Sequence, residues 1–141
     1  MTKPTTDAKA IAYAFYDSYN SGDLDASFDR YIDPDLKNHA FGGEFDRDSW
    51  KAFEISFIDA FSDVTMTIHD QVGEDDKVAT RFELGGTQHS EFAGQPSHGH
   101  SASITATAVD RIEDGKIVEH WGEIGFCHFL NALGTPPPCS Q

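Results

Sequence analysis

The sequence predicts an α+β fold, in which a cone-shaped, curved antiparallel sheet packs on three N-terminal helices. Two observations carry this prediction. Apolar residues recur at helical spacing in the first half of the chain, and period-two alternation dominates the second half. A chain of 141 residues suits one domain with a core, so we expect a single domain over 1–141 with tails at 1–5 and 135–141.

Three segments with apolar residues three or four positions apart predict the helices. The first has an apolar stripe formed by Ile11, Phe15 and Tyr19. The second starts at Asp23, a good N-cap, and ends before Asp33-Pro34, because the residue preceding proline avoids the α region. After a short strand at 36–41, the third presents a strongly aromatic face, made of Trp50, Phe53, Phe57 and Phe61.

Alternating residues predict four further strands, at 64–72, 78–88, 101–112 and 117–126, followed by a short helix at 126–133. Asp114-Gly115 suits a tight turn between the last two strands, because both residues tolerate positive φ. Strands joined so closely pair antiparallel, so this hairpin forms the centre of the sheet. Alternation then groups Glu119, Trp121, Glu123 and Gly125 on one face, where we expect the chemistry.

Composition narrows the possible partners and location. The formal net charge is −14 and the sequence pI is near 4.6, which disfavours binding to nucleic acid or to anionic membranes. No run of 18 apolar residues is present and the first ten residues lack an apolar signal core, so a cytoplasmic protein is expected. Two cysteines, Cys127 and Cys139, are too few for a disulfide framework.

Four motifs, in order, resemble the SnoaL-like polyketide cyclases of the nuclear-transport-factor-like superfamily. Residues 111–121, RIEDGKIVEHW, resemble the last hairpin of that family. Residues 60–63, AFSD, resemble its A-F-P-D, and 86–99 resemble its loop G-T-H-x-G-E-F-x-G-x-P-x-T-G. His39 stands where the family has a histidine after its second helix. The resemblance extends from about residue 10 to residue 134 and implies the family's cone-shaped fold.

The resemblance also implies an apolar cavity and acid–base aldol chemistry on a hydrophobic, carbonyl-bearing small molecule, without metal or organic cofactor. The proposed catalytic aspartate of the family corresponds to Gly125 in this chain. Glu123, two residues earlier on the same strand face, is therefore predicted to be the base, and His39 the donor to the carbonyl. The alternatives are an exposed Glu123, or one paired with an arginine, and a surface or core His39.

Further residues are expected to bind the ligand. Gln88 replaces the histidine of the family's G-T-H motif and could orient a carbonyl, with His89 beside it. Its alternative role is to bond the loop backbone. Aromatic residues that could line the cavity, or simply pack the core, are Trp50, Phe53, Phe57 and Trp121.

Two pairs of residues have the spacing of metal ligands, but no metal site is predicted. His89 and Glu91, and His98 and His100, are each two residues apart, so each pair could chelate from a strand. The combination matches no closed zinc motif.

Other functions of the same fold remain open at this stage: a non-catalytic binding protein, an isomerase or an epoxide-hydrolase-like enzyme. We also expect a homodimer, because one face of the sheet is not covered by helices. That face would carry Ala102, Ile104, Ala106 and Ala108, or the residues opposite to them.

Overall fold

The computed structural model describes residues 4–43 and 45–134 and has an α+β architecture. The helices are α1 (Pro4–Ser21), α2 (Leu24–Tyr31), α3 (Arg47–Ala60) and α4 (Phe126–Ala132), with a 3₁₀ turn at Ala40–Gly43. The strands are β1 (Ile32–Asn38), β2 (Phe61–Glu74), β3 (Lys77–Gln88), β4 (Ser101–Glu113) and β5 (Lys116–Ile124). Three N-terminal helices are present as expected, and α1 includes Pro4, inside the predicted leader. The predicted tail at 135–141 lies outside the described residues.

The five strands form one curved sheet in the order β1-β5-β4-β3-β2. The pairs among β2, β3, β4 and β5 are antiparallel, whereas β1 is parallel to β5, so the sheet is mixed rather than purely antiparallel. Parallel pairing is possible because a long stretch of chain separates the two strands. β1 also begins earlier than predicted and contains Pro34, which an edge strand tolerates because it need not donate a ladder hydrogen bond.

The helices cover one face of the sheet and bury an aromatic core against it. On the helical side, Phe15 and Phe28 meet edge to face with ring centroids 5.1 Å apart, and Trp50 packs on Phe28 at the same distance. At its N-terminus α3 is capped by Asp46, whose carboxylate accepts a hydrogen bond of 2.8 Å from the Ser49 amide. Of the aromatic face predicted for α3, Trp50, Phe53 and Phe57 lie on the helix and pack in the core, whereas Phe61 is the first residue of β2.

The central hairpin contains a β-bulge that decides which side chains face the core. Its turn is as predicted, with positive φ at Asp114 and Gly115. Ile112 pairs with Ile117, but Arg111 pairs with Glu119, so Val118 is an extra residue in β5. Beyond this point the alternation of β5 is shifted by one residue.

The side of the sheet away from the helices is polar along β4. Ile104, Ala106 and Ala108 are buried against the helices, so the opposite residues Ser103, Thr105 and Thr107 are the exposed ones. The uncovered face therefore carries these Ser and Thr residues, and not the Ala and Ile residues that alternate with them. We call this side the outer face of the sheet.

Two features of the described residues bear on earlier expectations. Cys127, at the start of α4, is disulfide-bonded, which the sequence analysis did not predict; Cys139 lies outside the described residues. Within 4–43 and 45–134, every helix is too short or too polar to cross a membrane.

Candidate active site

A cavity of about 70 Å³ lies between the inner face of the sheet and helices α1, α3 and α4. Its wall is almost entirely apolar. The aromatic residues that line it are Tyr16, Tyr19, Trp50, Phe53, Phe57, Phe82, Phe92, Phe126 and Phe129. Among the described residues of this wall there is no lysine or arginine, and the ionisable groups besides the two tyrosines are Glu54 and His120. A wall of this kind favours an uncharged, apolar ligand.

His120 and Asp110 form a buried pair at the cavity wall. His120 of β5 lies directly opposite Asp110 of β4, and Nδ1 of His120 lies 2.6 Å from Oδ1 of Asp110. Both are buried, Asp110 completely. Because a carboxylate can only accept, Nδ1 carries the proton in this bond and a neutral imidazole presents Nε2 as its acceptor.

The other nitrogen of His120 lies beside a residue that has no side chain. A Cβ placed on Gly122 would come 3.5 Å from Nε2 of His120, so glycine leaves space there. Within the described part of the chain, Nε2 has no hydrogen-bond partner. Nε2 is thus available to a ligand in the cavity, since His120 and Gly122 both line it.

Tyr16 supports the pair from α1. Its hydroxyl donates a hydrogen bond of 2.7 Å to Oδ2 of Asp110, so each oxygen of this carboxylate has one donor. Burial raises the pKa of Tyr16 well above its ordinary value, and the negative charge of Asp110 raises it further. The phenol therefore remains a donor, and the orientation of His120 is fixed through Asp110.

Glu54 is a second acid at the cavity. The Tyr19 hydroxyl donates to its Oε1 at 2.8 Å, and the Trp50 indole nitrogen donates to its Oε2 at 3.2 Å. Burial raises the pKa of Glu54, while these two bonds and the nearby His120 partly oppose the rise. Trp50 also stacks on the imidazole of His120, with ring centroids 4.4 Å apart. One indole therefore contacts both ionisable groups.

The comparisons with known proteins agree with this architecture. The family described as SnoaL-like polyketide cyclase matches residues 10–133 of the chain. The chain belongs to the SnoaL-like polyketide cyclase family. No protein in the curated collection of sequences matches it.

Three solved structures from Streptomyces illustrate the similarity. IdmH from S. antibioticus, named as a candidate polyketide cyclase, is 31% identical, with 91% of this chain and 99% of that chain covered and a TM-score of 0.75. TsrD from S. laurentii is 25% identical, covering 92% and 96%, with a TM-score of 0.80. AclR from S. galilaeus, named as a candidate hydroxylase, is 26% identical, covering 92% and 97%, with a TM-score of 0.83.

Three of the residues predicted to contact a ligand in this SnoaL-like protein do line the cavity: Trp50, Phe53 and Phe57. Glu123 does not. It is exposed, and it borders an open groove on the outer face together with Gly125, Thr107 and Arg81. The bulge at Val118 is the reason, because it places His120, rather than its neighbours, on the inner face.

His39 and Trp121 meet each other at the surface, away from the cavity. Their rings stack with centroids 5.0 Å apart, and Nε2 of His39 lies 2.7 Å from Oε2 of Glu119. Arg111 donates to the other oxygen of Glu119 at 3.1 Å. These two bonds lower the pKa of Glu119, so the cluster is a surface ion-pair network.

Gln88 and His89 also lie outside the cavity wall. Gln88 is buried, and its amide nitrogen donates to the carbonyl oxygens of Ser90 at 3.0 Å and Gln95 at 3.3 Å. These bonds shape the loop that presents Phe92 to the cavity. Gln88 therefore bonds to the loop backbone, which was the alternative expected for it. His89 is exposed.

Sequence reasoning did not identify His120, Asp110, Glu54, Tyr16 or Tyr19 as site residues. One signal was available: in β4 an acid, Asp110, continues the apolar register of Ile104, Ala106 and Ala108, and an acid on a core-facing register needs a buried partner. Among the described residues, no group of three or more His, Cys, Asp or Glu is arranged to hold a metal ion.

Proposed function

We propose that this protein is an enzyme of the polyketide-cyclase type that performs acid–base chemistry, without a cofactor, on a hydrophobic, carbonyl-bearing small molecule. The observation that carries the proposal is the buried His120–Asp110 pair, whose free nitrogen adjoins an apolar cavity. Membership of the SnoaL-like family and the similarity to IdmH support the same class of reaction.

In this proposal His120 is the general base. Its Nε2 removes a proton from the carbon next to a carbonyl group, which produces an enolate and an imidazolium. Asp110 keeps the proton on Nδ1, so that Nε2 is the basic nitrogen, and its negative charge stabilises the imidazolium. Trp50, stacked on the ring, excludes water from one side of it.

The cavity wall contributes by selecting the ligand. A ring or conjugated ketone can contact aromatic side chains on several sides. Anions are disfavoured, because the described wall is apolar and contains no lysine or arginine to pair with a negative charge. With a volume of about 70 Å³, the cavity suits a small ligand.

Proton exchange tests the base directly and needs no knowledge of the natural substrate. The probe is 2,6-heptanedione in D₂O, and NMR follows the loss of protons next to its carbonyls. We expect His120→Gln to slow enzyme-dependent exchange by about 10²-fold or more. His69→Gln is the matched control, because His69 pairs with Glu83 on the outer face and does not line the cavity.

The competing function, a non-catalytic binding protein of the same fold, predicts a different result. In that case the diketone or an aromatic ketone binds, for example by a shift in thermal stability, but wild-type protein accelerates no exchange. Equal exchange by wild type and His120→Gln would also reject the proposal.

A further inference from the structure

We propose that Glu54 is a second catalytic residue of the cavity, which donates a proton to the acceptor carbonyl oxygen while the new carbon–carbon bond forms. This inference rests on the proposed function, which assigns only proton removal, to His120. It names the group that completes an aldol closure.

The position of Glu54 is fixed from two helices. It lies one turn after Trp50 on α3, and Trp50 and Tyr19 each hold one of its oxygens. Glu54 lines the cavity, and so do Tyr19 and Trp50, the two residues that hold its carboxyl oxygens. Such two-sided hydrogen bonding holds a carboxyl group in one orientation, as proton donation to a bound ligand requires.

Glu54 and His120 are placed to act on the same molecule. The Trp50 indole stacks on the imidazole and also bonds to the carboxyl group, so both groups border one side chain. His120 is already oriented by Asp110, so Glu54 is not needed for that purpose. Burial of Glu54 raises its pKa, which favours the protonated form that a general acid requires.

The step balances without any further reactant. His120 takes a proton from the donor carbon: a C–H bond breaks and an N–H bond forms. The enolate carbon attacks the second carbonyl carbon, forming the C–C bond, and the π electrons of that carbonyl move to its oxygen. Glu54 gives its proton to this oxygen, so an O–H bond breaks on the acid and one forms on the product. Transfer of a proton from imidazolium to carboxylate restores the starting state.

A purely structural Glu54 is the alternative, since it also anchors Tyr19 and Trp50. The two roles differ in their effect on partial reactions. Exchange of the donor proton needs the base alone, whereas ring closure needs base and acid. A structural defect would disturb the cavity and lower both rates together.

The experiment compares both reactions with one probe. With 2,6-heptanedione, exchange in D₂O reports the base, and formation of 3-hydroxy-3-methylcyclohexanone, the alcohol that the aldol step produces, reports closure. We expect Glu54→Gln to slow closure by about 10²-fold and to change exchange by less than about threefold. Asp59→Asn makes the same chemical change at an exposed position of α3 and should alter neither rate.

Glu54→Asp distinguishes loss of the acid from a folding defect, because it keeps an ionisable carboxyl group on a shorter side chain. We expect it to close the ring at least about tenfold faster than Glu54→Gln. Closure by the wild type should also fall at high pH, a limb absent from the residual activity of Glu54→Gln. The titratable groups that face Glu54 are Tyr16 and Tyr19 of α1 and His120 of β5. The alkaline limb therefore belongs to Glu54 only if it disappears in that variant.

Three results would overturn the inference. The first is that Glu54→Gln closes the ring at the wild-type rate. The second is that Glu54→Gln loses exchange and closure equally. The third is that Glu54→Asp closes the ring no faster than Glu54→Gln. Each of these would leave the proposed function intact, since wild-type exchange and its loss in His120→Gln are measured separately. Absence of wild-type exchange would instead reject the proposed function, and this inference with it.

Discussion

The Tyr16 hydroxyl donates to Oδ2 of Asp110 at 2.7 Å, although the two residues are 94 positions apart in the chain. The bond joins α1 to β4 across the core and completes the hydrogen bonding of a carboxylate that is fully buried. The Tyr16 hydroxyl therefore contacts the candidate site through Asp110. Removal of this hydroxyl should affect both stability and function.

Tyr16→Phe should lower the free energy of unfolding by about 1–3 kcal/mol, because one oxygen of the buried Asp110 loses its donor. Denaturant unfolding measures the loss. Tyr13→Phe is the control, since Tyr13 lies on the same helix and is 48% exposed. If Tyr16→Phe were as stable as Tyr13→Phe, the bond would not contribute to folding as the geometry indicates.

Most of the fold could be predicted from the sequence because its signals are local. The aromatic stripe of α3, the Asp114-Gly115 turn and the alternation of β4 each depend on near neighbours. The site could not be predicted in the same way. Val118 shifts β5 by one residue, and no local preference marks that bulge in the sequence. Ile117 and His120, three residues apart, therefore both face inward.

Glu123 and His120 of β5 are the two candidate bases, and substitution of each one separates their roles. The sequence pattern predicts Glu123, and the structure puts His120 at the cavity and Glu123 on the outer face. We therefore expect Glu123→Gln to retain diketone exchange that His120→Gln loses. Loss of exchange in Glu123→Gln, with His120→Gln active, would restore the assignment made from the sequence.

The outer face of the sheet is the expected contact between two copies of the chain. It carries Ser103, Thr105 and Thr107, short side chains that permit close packing of another sheet. Light scattering should give twice the 15.5 kDa chain mass at micromolar concentration. Thr105→Arg should reduce that mass, because it places a long charged side chain at the centre of the contact. A wild-type mass of one chain would reject the homodimer.

The raised pKa of Glu54 gives the last prediction, which concerns stability as a function of pH. In the unfolded chain this carboxyl group titrates near its ordinary value of 4.5, whereas in the folded protein it titrates higher. Between the two values the folded state holds the proton more tightly, so stability falls as pH rises through that window. Glu54→Gln removes the titration. The free energy of unfolding of wild type minus that of Glu54→Gln should therefore decrease from pH 4.5 upward and level off above the folded pKa.

The same difference measured for Asp59→Asn, at an exposed position of the same helix, should show no such decrease. Denaturant unfolding at a series of pH values measures both differences. A difference for Glu54→Gln that is flat, or that rises with pH, would mean that Glu54 is ionised in the folded protein, and its role as a proton donor would then fail.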